Sequence, residues 1–122
     1  MNYLLVALGG GLGSVCRYAI GHLLTRQSLA FPWSTLAANV IASLILGFLT
    51  GLSLKEGMSP SLKVLFMAGF CGGFSTFSTF SAETMYLVQD GRPDLAMLNI
   101  MLSVTACLVA VYLGYWVHQL LS

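Results

Sequence analysis

Four apolar runs, residues 3–24, 34–54, 62–89 and 95–121, govern what this chain can fold into. Each reaches the roughly 20 residues that an α-helix needs to cross a bilayer. Short links separate them. Residues 25–33 carry Arg26 and Pro32, residues 55–61 carry Lys55, Glu56, Gly57 and Pro60, and residues 90–94 read Asp-Gly-Arg-Pro-Asp. Glycine and proline there are the expected punctuation between helices. Only 7% of the 122 residues are charged, against roughly a quarter in an ordinary soluble domain. Most of those charges lie between the runs. The expected fold is all-α and integral to the membrane: one four-helix transmembrane domain covering residues 1–122.

Net charge and cysteine usage exclude other classes. A net charge of +1 offers no basic face for nucleic acid. Cys16, Cys71 and Cys107 are odd in number and widely separated, with no CxxC pair, so neither a disulfide framework nor a zinc site is indicated. His22 and His118 stand isolated near run ends. The first run lacks a basic leader and is interrupted by Arg17, which reads as a retained helix rather than a cleaved signal peptide. Gly9–Gly13 has the look of a nucleotide-binding glycine fingerprint, but no strand precedes it, so no nucleotide site is expected.

Small residues recur four apart: Gly9 and Gly13, Gly47 and Gly51, then Ala106, Ala110 and Gly114. Such spacing lets helix backbones approach closely in lipid, either within one chain or between two. The loop charges are nearly balanced. If the termini share a side, that side holds Lys55 and Lys63 and the other holds Arg26 and Arg92, with Arg17 snorkelling toward it. So little positive-inside bias gives no reason to prefer one orientation. Insertion in both orientations, with antiparallel pairing into a closed two-fold assembly, is the expectation that follows.

The third run departs from ordinary span sequence. Residues 69–81 read GFCGGFSTFSTFS: three glycines within five residues, then alternating hydroxyls and phenylalanines. Glycine weakens the helix, and Ser and Thr hydroxyls compete for backbone groups and tolerate local unwinding. Non-helical backbone at membrane depth survives only when buried in protein or lining a cavity. Carbonyls freed in such breaks commonly coordinate a cation. The alternative is a glycine kink packed by phenylalanines. Phe66, Phe70, Phe74, Phe77 and Phe80 step by four, four, three and three, which places them on one helical face. Ring edges carry positive quadrupole potential, so a small anion can lie against them among the hydroxyls.

Other polar groups within the runs are few. Thr35 and Asn39 are one turn apart in the second, and Asn99, Ser103 and Cys107 repeat every four residues in the fourth. Glu83 is the one acid well inside a run. Such groups are functional candidates by default, with interhelical hydrogen bonding as the plainer role.

GFCGGFSTFSTF, together with GGLGSVCRY at residues 10–18 and the Thr35–Asn39 pair, resembles the Fluc (CrcB) family of small fluoride channels along essentially the whole chain. The resemblance implies an antiparallel, dual-topology homodimer in a bacterial inner membrane. It would carry fluoride passively out of the cytoplasm and so reduce fluoride toxicity, with no catalysis. It further implies a structural sodium ion at the dimer centre on the backbone carbonyls of Gly72 and Ser75. Phe77, Phe80, Asn39, Ser78, Thr79 and Ser103 map to the pore. Arg17, Thr35, Thr76, Glu83 and Asn99 map nearby, in the pore or in support of it. Departures from the family pattern are Ser34, Ala42, Ser75, Asn99, which stands where some members have tyrosine, and Cys107. Two other readings fit a four-span chain: a small dual-topology multidrug or cation exporter, and a non-transporting membrane assembly subunit. An exporter of that kind wants a carboxylate in the first run, where this chain has Arg17.

Overall fold

The structure is a computed structural model that describes residues 1–24 and 31–121. Its four spans are long and apolar enough to cross a bilayer. Helix α1 covers Asn2–Leu24 and α2 covers Trp33–Lys55. The third span, Pro60–Gln89, is divided. Its first part, α3, comprises residues 60–74: a turn at Pro60–Leu62 capped by Ser59, the segment Lys63–Cys71 with the wider hydrogen bonding of a π-helix, and Gly72–Phe74. Its second part, α4, is Phe77–Gln89, and α5 is Pro93–Leu121. Gly57 (φ 81°) and Gly91 (φ 74°) close the two described turns in the left-handed region that a side chain rarely adopts. Arg26, one of the charges in the topology count, lies outside the described residues.

The helices are inside-out by the standards of a soluble bundle. The buried residues of α1 are Gly9 and Gly13, whereas Leu4, Leu8, Leu12 and Val15 face outward. In α5 the inward face carries Ala96, Asn99, Ser103, Ala110, Gly114 and His118, and Met97, Met101, Val104, Leu108 and Tyr112 face outward. Lipid tails are as apolar as leucine, so large side chains gain little by turning inward, and close backbone approach decides the packing.

The small-residue spacing serves contacts within one chain. α1 packs on α3, and α2 packs on α5. A Cβ added at Gly9 would overlap the Leu65 carbonyl, and one at Gly13 the Phe70 carbonyl. From the facing side, a Cβ at Gly73 would overlap the Gly10 carbonyl. The second seam repeats the device: Gly47 meets the Val111 carbonyl and Gly114 meets the Leu44 carbonyl. Between the seams lies a small core of Ala38, Ala42 and Phe74, flanked by Cys16, Ile20, Ile45 and Phe70.

His118 is not isolated. It is buried at the end of α5, with Nε2 3.5 Å from Glu56 Oε1 at the end of α2 and its ring edge-on to Phe48 at 5.2 Å. Gly51 leaves room for it, since a Cβ there would lie 3.0 Å from the His118 Cβ. The sequence hides this because the partner sits more than sixty residues away. In the first turn of α5, Asp94 accepts from both Nε and an Nη of Arg92 at 3.1 Å, and this pairing raises the guanidinium pKa above its ordinary value.

Candidate functional site

The third span is interrupted at Ser75 and Thr76, not at its glycines. Gly72 is helical (φ −64°, ψ −37°), Ser75 turns extended (ψ 156°), and Thr76 is extended (φ −151°, ψ 120°) before α4 begins at Phe77. The glycines have a different cause: Gly69 and Gly73 sit against the backbone of α1. Asn39 holds the interruption from α2. The Thr76 N–H donates to Asn39 Oδ1 at 2.9 Å, and Asn39 Nδ2 donates to the Thr76 carbonyl at 3.5 Å. In an unbroken helix the Thr76 N–H would donate to the Gly72 carbonyl. Asn39 takes that donor, so the Gly72 carbonyl loses its ordinary helical partner.

Two hydroxyls bond backbone groups on either side of the interruption. Ser75 Oγ donates to the Cys71 carbonyl at 2.8 Å. Thr76 caps α4: its Oγ1 accepts from the Thr79 N–H at 3.2 Å and lies 3.2 Å from both Ser78 Oγ and Thr79 Oγ1. A threonine in this position supplies the acceptor that the first turn of a helix lacks. On the other side Arg17 Nε donates to the Gly73 carbonyl at 3.2 Å, so the arginine reaches the backbone beside the interruption.

Because two extended residues intervene, the five phenylalanines do not form one continuous face. Phe70 and Phe74 stack edge-on at 5.5 Å, and Phe74 belongs to the core. Phe77 and Phe80 pair at 5.4 Å, and Phe77 is 78% exposed in the single chain. The interruption re-aims the second pair away from the core.

Three cavities surround it. One of about 260 Å³ is lined by Asn39, Ser43, Ser75, Thr76, Phe77, Phe80, Ser103, Val104 and Cys107. A second, of about 310 Å³, is lined by Arg17, Tyr18, Gly21, His22, Ser34, Thr35, Thr79 and Glu83. Thr35 is buried in this wall, and Oε1 of Glu83 is buried without a hydrogen-bond partner. A third, of about 140 Å³, has Gly72 and Ser75 in its wall with Ala42, Ser43, Leu46, Met67 and Cys71. The sequence candidates therefore fall into groups. Asn39, Thr76, Phe77, Phe80, Ser103 and Cys107 share one cavity, whereas Arg17, Thr35, Thr79 and Glu83 share another. Ser78 lines neither and is exposed beside its cap partner Thr76.

Asn99 is 2% exposed and lines none of these cavities. Its Nδ2 donates to Thr84 Oγ1 at 2.9 Å, and its Oδ1 accepts from Ser103 Oγ at 3.2 Å. Thr84 and Ser43 escaped sequence analysis. Each lies four residues beyond a residue of the site, Phe80 and Asn39, so a search one turn onward would have found both.

The cavity with Phe77 and Phe80 offers an anion ring edges, hydroxyls and an amide, with no fixed cation among its lining residues. Asn39 spends one N–H on Thr76, and the second proton of Nδ2 remains available to the cavity. The carbonyls of Gly72 and Ser75 are neutral oxygen, a donor type suited to a hard monovalent cation.

Residues 4–115 match the family described as CrcB-like protein, Camphor Resistance (CrcB). The chain is similar to a protein named fluoride-specific ion channel FluC from Magnetococcus marinus, with 45% identity over 118 residues, 95% of this chain and 96% of the relative. Proteins of the same name from Methylobacillus flagellatus and Rhodospirillum rubrum are 43% and 40% identical, over 92% and 94% of this chain and 90% and 92% of the relatives.

Proposed function

We propose, from the premise that this chain belongs to the CrcB-like protein family, that it is a fluoride-specific channel and not an enzyme. It is a multi-pass membrane protein, and in a bacterial inner membrane it lets fluoride leave the cytoplasm down its gradient. The observation that carries the reading is the clamp of Asn39 on Thr76, which turns the Phe77–Phe80 pair out of the core and into a cavity with hydroxyls. A small, strongly hydrated anion needs several weak donors in a narrow passage, so that it sheds water on entry and still leaves. Ring edges and neutral N–H and O–H groups meet that need, whereas a fixed cation would hold the ion too tightly.

One chain is incomplete for this task. Phe77 and Gly72 are exposed, and Gly72 exposes backbone at membrane depth, where lipid satisfies no hydrogen bond. A second, antiparallel copy covers both and completes the passage. Lys55 and Lys63 on one side against Arg26 and Arg92 on the other leave little positive-inside bias, in keeping with insertion both ways. At the centre of the dimer the Gly72 carbonyl, freed by Asn39, and the Ser75 carbonyl of each copy would hold a structural sodium ion, whose charge would be met by neutral backbone oxygen.

Purified protein in liposomes loaded with fluoride and chloride, followed with paired ion-selective electrodes, tests the function. Fluoride efflux at a rate far above that of protein-free vesicles is expected, with chloride retained. Absent fluoride efflux, or chloride leaving as fast, overturns it.

A further inference from the structure

A hydrogen-bonded chain leaves the pore cavity and returns to it. It starts at the Phe80 carbonyl, passes through Thr84 and Asn99, and ends at the Ser103 hydroxyl; Phe80 and Ser103 both line the 260 Å³ cavity. Its polarity is forced. A carbonyl can only accept, so Thr84 Oγ1 must donate its single proton to Phe80 O, which lies 2.8 Å away. Toward Asn99, Thr84 is then left with lone pairs only, and the side of the carboxamide that meets it at 2.9 Å must be Nδ2. The Asn99 Oδ1 therefore faces Ser103, and Ser103 must donate to it at 3.2 Å. No other arrangement of these protons satisfies all three contacts.

For an anion this has a direct consequence. Ser103 has one hydroxyl proton, and in this arrangement it points away from the cavity while lone pairs point in. Ser103 is thus not a standing fluoride donor. Resting on the reading of this cavity as a fluoride path, we infer that Thr84 and Asn99 are positioning residues that hold the Ser103 proton in reserve. When the cavity is empty the hydroxyl donates to Asn99. When fluoride arrives, rotation about the Cβ–Oγ bond turns the O–H to donate a hydrogen bond to the ion, and the hydroxyl turns back as the ion leaves. Asn99 competes with fluoride for one donor and so weakens binding, which favours release. The competition depends on Thr84, because without its fixed polarity the buried carboxamide can flip, present Nδ2 to Ser103 and free the hydroxyl for the ion.

Initial efflux from liposomes, measured over a range of internal fluoride concentrations, gives a half-saturating concentration for each variant. Thr84→Val and Asn99→Leu remove the competitor by separate routes, so each lowers that concentration about fivefold, the equilibrium factor of one ordinary net hydrogen bond. Thr84→Ser keeps the polarity and keeps the wild-type value. Ser103→Ala raises the half-saturating concentration, and in that background Thr84→Val and Asn99→Leu produce no further shift, because the donor they release is gone. Asn99→Leu carries the test if Thr84→Val does not fold. Half-saturation unmoved in a conducting Thr84→Val or Asn99→Leu channel overturns the inference and leaves the channel function standing. So does a shift that persists without Ser103, which would mark the trio as interhelical packing. A wild-type protein that passes no fluoride removes both readings.

Discussion

Replacing Asn39 with alanine removes the one side chain that competes with the helix for the Thr76 N–H. The two bonds lost are unequal: 2.9 Å from Thr76 N to Oδ1, and 3.5 Å from Nδ2 to the Thr76 carbonyl, at the limit of a useful contact. Leaving the N–H unpaired at membrane depth would cost about 1–3 kcal/mol. The chain has an escape, because residues 75 and 76 can turn helical and return that N–H to the Gly72 carbonyl. The expected net loss of stability is therefore near the lower limit, about 1 kcal/mol. The geometric effect is larger. A continuous helix turns the Phe77–Phe80 pair about its axis and draws it back along the span, since each converted residue rises about 1.5 Å instead of about 3.3 Å, out of the cavity that Asn39 and Ser103 line. Unfolding by a denaturing detergent, followed by circular dichroism, should show the small stability change. Fluoride efflux from liposomes should fall at least tenfold. An Asn39→Ala protein with wild-type efflux would refute the claim that Asn39 places the phenylalanines.

Substituting Phe77 and Phe80 with isoleucine should abolish fluoride efflux, and the protein should still elute as a dimer in gel filtration; an assembly subunit would scarcely register the change. Gly72 and Gly73 should separate the two kinds of contact. An added Cβ at Gly73 overlaps the Gly10 backbone, whereas one at Gly72 meets nothing within 4 Å in the single chain. Gly73→Ala should destabilise the fold by about 1–3 kcal/mol through overpacking, and Gly72→Ala should leave the fold intact but weaken the dimer, seen as a shift to monomer on dilution. Because Glu56 is about half exposed, His118→Leu should cost less than about 1 kcal/mol in the same detergent titration.

The four-helix architecture was legible because hydrocarbon thickness imposes a length and a composition that soluble helices rarely combine. What lay beyond the sequence is non-local. The glycines at 69, 72 and 73 look like a weak point in a helix, but two of them are explained only by the backbone of α1 lying against them. The extended residues fall instead at Ser75 and Thr76, because Asn39, thirty-seven residues earlier, takes the Thr76 N–H. Periodicity placed five phenylalanines on one face by assuming an unbroken helix, and the extended pair re-aims the last two. Thr84 stands one turn beyond Phe80 and is easily found in the sequence, but its role is not. Its role appears only when the proton chain from Phe80 to Ser103 is followed through space.

The central claim is that the Asn39-held interruption builds a passage that accepts fluoride and refuses chloride. The zero-current potential of a planar bilayer containing the protein, with fluoride salt on one side and chloride salt on the other, tests it most directly. A potential at the limit set by fluoride alone is predicted. A potential near zero, with current carried by either anion, would contradict it.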